Sequence, residues 1–439
     1  MKPRPPLPPG PFLVVGLARS GVAAALALRA RGEEVIGSDA GTPDVGRLRE
    51  AGVEVHLDAS GEHLAARART LIKSPGVPQD APAVVAARRG GLAVLGELEL
   101  AWRLIPNEFI AVTGTNGKTT TTEWIGHIHR EASLPVAVAG NVGTAASSLV
   151  GSLPADATVI CEASSFQLED ADVFAPEAAV LLNLSPDHLD RHATYEDYVA
   201  AKLRIFARQG NEDVAVAPRD LETWDLGGCA RRVQFGSGPG AEMSDRAGYL
   251  WWDEEPLLPV KEIGLPGAHN RENAMAAAAV CLARGMPPEA VRAGLRTFRG
   301  VAHRLETVAR HGGVEYVNDS KATNVASTVV ALRAYAGGVL LIAGGRGKSQ
   351  DFAPLAPVVA ERCRAVYLIG EAAREIGVAL AGTGLPVEQC GELPRAVESA
   401  RRAARAGDTV LLSPACASYD QYPDYEARGA HFRALVEVA

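Results

Sequence analysis

The sequence predicts an α/β protein of three domains, each built on a mostly parallel sheet. Short apolar runs recur along the chain and alternate with alanine-rich stretches of helix length, the rhythm of β–α–β units. Most of these runs end in small or polar residues, so polar side chains gather at strand C-termini, where doubly wound sheets hold ligands. The 439 residues accommodate about three domains at roughly 150 residues each. The expected division is a Rossmann-like domain over 1–100, a central phosphate-loop domain over 101–301 and a Rossmann-like domain over 302–439.

The first residues, "MKPRPPLPPGPF", are proline-rich and lack the apolar core of a secretory signal, and they read as a flexible cytoplasmic leader. "FLVVG" (12–16), "SGVAAALALRARG" and "EVIGSD" then give strand, helix and strand. The turn "VVGLARSG" (14–21) resembles a dinucleotide-binding fingerprint in which Ala18 replaces the middle glycine. Asp39 follows about 20 residues after Gly16, where a ribose-binding acid would fall. Such a degenerate turn supports a nucleotide-like ligand and does not specify a nicotinamide cofactor.

A second unit opens with "FIAVTGTNGKTTTT" (109–122), in which G-K-T stands at a strand-to-helix junction but Val112 occupies the first glycine position of the usual phosphate loop. Gly114, Thr115, Asn116, Gly117, Lys118, Thr119 and Thr120 form the candidate cradle. Glycines let backbone N–H groups approach an anion at the helix start, Lys118 can reach terminal phosphates, and a hydroxyl at Thr119 or Thr120 can ligate magnesium. The strands "PVAVAG", "ATVICE" and "AAVLLNLS" follow. Glu162 ends one of them, an acid placed to partner Mg²⁺. In "NLSPDHLDRHATYEDYVAAKLRIF" (183–206), Asp187, His188 and Asp190 follow a strand. Lys202 shares a helix with apolar Val199, Leu203 and Phe206, where a snorkelling lysine is the plain alternative. "GLPGAHNRENAMAAAA" (264–279) reads as a turn and a helix with Asn270 and Asn273 on one face, and a helix cap is the plain alternative there.

The last third supplies the strands "VEYVND", "GVLLIAGG", "AVYLIG" and "DTVLLSP". Arg304 precedes them; Asp319, Lys321 and Thr323, then Lys348, then Ser418 and Tyr425 follow them. Polar clusters after several strands of one sheet suggest a pocket edge.

Composition narrows the classes. With 47% hydrophobic and 22% charged residues the chain is an ordinary globular one. Its longest apolar run, "AMAAAAVCLA" (274–283), falls short of the roughly 18 residues a membrane span needs. The net charge of −8 argues against a nucleic-acid partner. Six cysteines without a C-x-x-C pair fit reduced, cytoplasmic thiols and neither a disulfide framework nor a zinc site.

Taken together, these segments resemble the ATP-dependent Mur ligase family, whose members build the peptide of bacterial cell-wall precursors, over essentially the whole chain. "TGTNGKTT", "EASSFQLE", "DHLDRH…AAKLRIF" and "GAHNRENA" are similar to the family's central domain, and "NDSKATN" (318–324), "GGRGKSQDF" (344–352) and "SPACASYDQ" (413–421) to its D-glutamate-adding branch. The resemblance implies ATP as co-substrate, bound by Gly114 to Thr120, Asn270, Arg304 and Asp319. It implies two Mg²⁺ sites, one served by Thr119 and Glu162, the other by His188 and Lys202, with Lys202 as a carbamate. A carbamate needs a neutral amine, which partial burial favours. Lys118, Glu162, His188 and Lys202 are then the catalytic set. UDP-N-acetylmuramoyl-L-alanine would contact Arg19, Ser20, Asp39, Ser74, Asn141 and Ser164, and D-glutamate would contact Thr323, Lys348, Ser418 and Tyr425. Position 425 holds tyrosine where the family pattern has phenylalanine, and Arg346 stands where an acid is common. The implied reaction passes through an acyl-phosphate and a tetrahedral intermediate, with His188 or a carboxylate taking the amine proton. A monomer without nucleic-acid partner is expected. The rivals are a folylpolyglutamate synthase, a nucleotide-dependent switch and a dehydrogenase.

Overall fold

The computed structural model describes residues 2–141, 143–187, 191–221, 224–347 and 350–437. The chain divides into two compact units, Met1–Phe298 and Arg299–Ala439. Three sheets underlie them, two in the first unit and one in the second.

The first sheet contains β1 (Phe12–Val15), β2 (Val35–Ser38), β3 (Glu54–His56), β4 (Thr70–Lys73) and β5 (Ala93–Gly96), ordered β3-β2-β1-β4-β5 and parallel throughout. β1 lies fully buried between two apolar layers, which is why "FLVV" reads as a continuous rather than an alternating run. The chain reverses direction across the sheet between β1 and β4, so the turns after these two strands face one crevice.

The second sheet holds β6 (Phe109–Thr113), β7 (Val136–Gly140), β8 (Thr158–Glu162), β9 (Ala178–Leu181), β10 (Val214–Pro218), β11 (Arg231–Ser237), β12 (Met243–Arg246), β13 (Tyr249–Trp252) and β14 (Glu255–Pro259). Their order is β14-β13-β12-β11-β10-β9-β6-β8-β7, parallel except for β13, which runs antiparallel to its neighbours β12 and β14. β6 sits between β9 and β8, so the turn following it is the switch point of this sheet. Helix Glu97–Leu104 joins the two layers: Leu98, Ala101 and Trp102 pack with the second sheet's core, Leu100 with the first's.

The third sheet is β15 (Glu306–His311), β16 (Val314–Asn318), β17 (Val339–Gly344), β18 (Cys363–Ile369), β19 (Val387–Gly391) and β20 (Thr409–Leu412), ordered β15-β16-β20-β17-β18-β19 with only β15 antiparallel. Cores on both faces bury it. The loops after β16, β17 and β20, neighbours in the sheet, carry the polar clusters of the last third.

The N-terminal stretch departs from expectation: it is not a flexible leader. Lys2 Nζ lies 2.6 Å from Asp213 and donates to Ala175 O at 3.0 Å. Arg4 pairs with Glu177 at 2.8 Å and stacks 4.7 Å over the Trp102 ring. Farther on, Pro6 O accepts from Arg103 and Pro9 O from Thr70. Prolines already hold the segment extended, so ordering it loses little entropy, while its two cations reach the buried carboxylates of Asp213 and Glu177. Among the described residues no helix is long and apolar enough to cross a membrane.

Candidate active site

The sharp turn after β6 requires its glycines. Gly117 has φ +84°, and a Cβ there would stand 2.2 Å from Asn273 Oδ1. A Cβ on Gly114, at φ +149°, would meet Leu182 Cβ at 2.9 Å. The turn is pinned from the β9 side: Thr115 N donates to Asn183 O at 3.0 Å and Asn116 N to Asn183 Oδ1 at 2.8 Å. It leads into helix Lys118–Glu131, whose start has no side-chain cap from Gly117 and whose positive dipole end faces the turn. Lys118 Nζ bends back over the turn onto Gly114 O (3.0 Å) and Thr115 O (2.8 Å). Thr120, half-buried, lies in the same first helical turn.

Beside the loop, register brings β8 against β6 and ends it in Glu162, 3% exposed. Thr119 Oγ1 donates to Glu162 Oε2 at 2.7 Å, and Asn141 Nδ2 to Glu162 Oε1 at 3.1 Å. Hydroxyl, carboxylate and amide oxygens next to a phosphate cradle are the hard donors Mg²⁺ prefers. His188 lies outside the described residues, and among those described no group of three or more His, Cys, Asp or Glu could hold a metal ion.

Lys202, on helix Tyr195–Leu203, reaches the same turn: its ammonium donates to Gly114 O at 2.7 Å and sits 4.6 Å from the Tyr198 ring centre. Only 2% of the residue is exposed. Burial, reinforced by the nearby Lys118 charge, pulls its pKa down to about 7, with Asp187 and Glu162 pulling the other way. A snorkelling lysine would keep its head in water; this one does not. Tyr198 also bonds Thr115 Oγ1 at 2.9 Å, and burial pushes its own hydroxyl up to about 12. His192 packs edge-on against Tyr198 and bonds Ser165 Oγ at 3.0 Å.

Of the predicted substrate residues in the first unit, Ser74 donates to Gly16 O at 2.6 Å, and Asp39 accepts from Leu17 N at 2.5 Å and Gly41 N at 2.8 Å. Both brace the first glycine turn. Ser20, half-buried, lies in the first turn of helix Arg19–Ala30, and Arg19 spans to Gly143 O at 2.6 Å, just past Asn141. Ser164 is an N-cap: with Gln167 it forms a capping box on helix Ser165–Glu169. Asn270 donates to Pro266 O at 2.7 Å and accepts from Asn273 at 3.4 Å. It is Asn273, not Asn270, whose side chain abuts Gly117. A cleft of about 480 Å³ opens beside the loop, bounded by Leu182, Asn183, Arg219, Phe235, Glu272 and Met275 among others.

In the second unit Asp319, 4% exposed, accepts from Ser413 Oγ (2.7 Å) and Leu305 N (3.1 Å). Burial raises its pKa to about 6, against these bonds and the Arg304 charge. Arg304 is exposed, Thr323 half-buried and Ser418 buried. Tyr425 O accepts from Ser320 Oγ at 2.8 Å, and Lys321 Nζ lies 5.9 Å from the Tyr425 ring centre. Lys348 falls outside the described residues. Arg428 escaped the sequence reading; its guanidinium, 1% exposed, ties Ser320 O (2.9 Å) to Cys416 O (3.1 Å) and Ala417 O (3.3 Å), joining the loops after β16 and β20.

Comparison with known proteins bears on this arrangement. The family profile described as the Mur ligase middle domain matches residues 112–281, and that described as the Mur ligase, glutamate ligase domain matches residues 303–416. A UDP-N-acetylmuramoylalanine–D-glutamate ligase of Acidobacterium capsulatum is 45% identical, over 97% of this chain and 95% of the relative. Proteins of the same name from Anaeromyxobacter dehalogenans and Koribacter versatilis are 44% and 39% identical, over 96% and 97% of this chain and 96% of each relative. Among solved structures, a UDP-N-acetylmuramate–alanine ligase from Thermotoga maritima superposes with a TM-score of 0.59 at 20% identity, covering 98% of this chain and 99% of that one, a likeness of fold.

Proposed function

The chain belongs to the Mur ligase family, and on that premise we propose that it is an ATP-dependent ligase joining D-glutamate to UDP-N-acetylmuramoyl-L-alanine, with release of ADP and phosphate. The observation that carries the ATP half is the convergence of Lys118, the Thr119–Glu162 pair and the buried Lys202 on one glycine turn. The D-glutamate half rests on the relatives' shared name and on the "NDSKATN" segment.

A free carboxylate acylates poorly because its leaving group would be oxide. Here the alanyl carboxylate attacks the γ-phosphorus of ATP, its new P–O bond forming as the bond to ADP breaks. The D-glutamate amine then adds to the acyl-phosphate carbon, the tetrahedral adduct loses a proton, and phosphate departs. Lys118 and the N–H groups at the start of helix Lys118–Glu131 counter charge on the phosphates. Magnesium, where bound, would be held by Thr119 and Glu162 and, at a second position, by His188 and a Lys202 carbamate, supplying Lewis-acid charge neutralisation. The lowered pKa of Lys202 suits it to the carbamate, because CO₂ reacts only with the neutral amine. The cleft flanked by Phe235 and Met275 has the size of a site for the adenine base. Asp39, Ser74 and Arg19 serve the UDP end of the substrate, Asn141 and Ser164 its muramoyl-alanine arm, and Thr323, Lys348, Ser418 and Tyr425 D-glutamate. On this reading residues 1–100 bind the UDP end of the substrate, 101–301 form the central ATP-binding and catalytic domain, to which the muramoyl-alanine arm extends, and 302–439 bind D-glutamate, with Arg304 and Asp319 contributing to the nucleotide site. The ligase works in the cytoplasm as a monomer, in peptidoglycan precursor synthesis.

Phosphate release from ATP tests the reading. Release should require both UDP-N-acetylmuramoyl-L-alanine and D-glutamate, with L-glutamate inert. Release indifferent to either substrate would make the chain a switch or a different ligase.

A further inference from the structure

Lys73 ends β4 with 0% of its side chain exposed, yet the reaction above gives it no role. Its ammonium donates to Val77 O at 2.7 Å and lies 2.8 Å from Asp170 Oδ2, a contact of charge rather than a well-angled hydrogen bond. Asp170, its side chain 2% exposed, follows helix Ser165–Glu169 in the second sheet's layer. Its other oxygen accepts from Gln79 Nε2 at 2.8 Å, and its carbonyl accepts from Gly96 N at 3.1 Å. Both ends of the 73–79 loop of the first sheet therefore converge on one carboxylate of the second. The middle of the loop is held from the same side, since Arg191 Nη2 reaches Pro75 O at 3.4 Å with its guanidinium 4.4 Å from the Phe166 ring centre. Ser74 faces the opposite way, onto Gly16 O.

A fully buried ion pair is a poor source of stability, because apolar side chains of similar volume serve as well or better. What charge provides is a specified partner and direction. We infer that Lys73 and Asp170 are positioning residues for the UDP substrate. They lock the loop that carries Ser74 to the segment running from Glu162 through Ser164. A substrate spanning from the first glycine turn to the phosphate loop then meets both ends at a fixed separation. The inference rests on the substrate reading above, and neither residue touches the reacting atoms.

The test compares Lys73→Met, Asp170→Asn and the double variant Lys73→Met/Asp170→Leu. Each single variant strands a buried charge and should lower the melting temperature; the double variant leaves no unpaired charge, only the Val77 carbonyl and the Gln79 amide without their partners, and should recover most of the loss. In all three, KM for UDP-N-acetylmuramoyl-L-alanine should rise about 10- to 100-fold, the scale of a small misplacement, while KM for ATP stays at the wild-type value. A double variant that recovers melting temperature and also keeps the wild-type KM for the UDP substrate would reduce the pair to packing and overturn the inference. So would an equal rise in KM for ATP. A wild type inert toward this substrate would overturn the substrate reading and the inference with it.

Discussion

At Lys202 two effects add: the ammonium is stripped of water, and it shares Gly114 O with the ammonium of Lys118. A base whose pKa falls to about 7 is half neutral near that pH and increasingly protonated below it. Since the ammonium has no lone pair for CO₂, lowering the pH through 7 should make turnover fall and become more dependent on added bicarbonate. Rates in bicarbonate-free and bicarbonate-supplemented buffer, followed on either side of pH 7, check this. Lys202→Ala should lower kcat by about 100-fold or more while leaving the UDP substrate's affinity nearly intact. Equal loss of both would count against the metal-ligand role. Gly117→Ala combines a left-handed backbone, costing about 1–2 kcal/mol, with a Cβ driven against Asn273. It should abolish the rise in melting temperature that ATP and magnesium give the wild type.

At the scale of elements, the N-terminal strap makes the plainest claim. Arg4→Ala would leave buried Glu177 with the Phe109 N–H as its one remaining side-chain hydrogen bond among the described residues, at a cost of about 3 kcal/mol in urea unfolding. A loss of a few tenths would restore the view of this segment as a loose leader. The strap was illegible because its contacts, Asp213 and Glu177, lie far along the chain and proline-rich composition alone suggests disorder. Strands buried on both faces, such as "FLVV" and "VLLIAG", were legible as unbroken apolar runs. Strands β13 and β14, at one end of the second sheet, were not, since "YLWW" and "EPLLP" mix exposed and buried positions in short hairpins. The same contrast holds in the site. Gly117, Lys118 and Glu162 announce themselves by position at strand ends, whereas Arg428 looks like any helical arginine until the fold buries it against three carbonyls. Asn273 was visible as a partner of Asn270 three residues on, but only the packing of helix Ala268–Ala283 against the turn singles it out.

At the scale of the whole molecule, the chain carries a net charge of −8 and is proposed to bring together three anionic substrates. No long-range field assists it, so binding falls to local devices: the glycine turns, the helix starts, Lys118 and Arg19. Each substrate that binds the folded chain alone should stabilise it by about 2.7 kcal/mol at 100 times its Kd, read as a rise in melting temperature. The central claim is that the alanyl carboxylate itself attacks ATP. The most direct measurement uses UDP-N-acetylmuramoyl-L-alanine with heavy oxygen in that carboxylate, followed by mass analysis of the phosphate released with D-glutamate present. Attack on the γ-phosphorus predicts one heavy oxygen carried into each phosphate. Phosphate free of the label, formed at the rate of amide synthesis, would contradict the acyl-phosphate route and the role assigned to the phosphate loop.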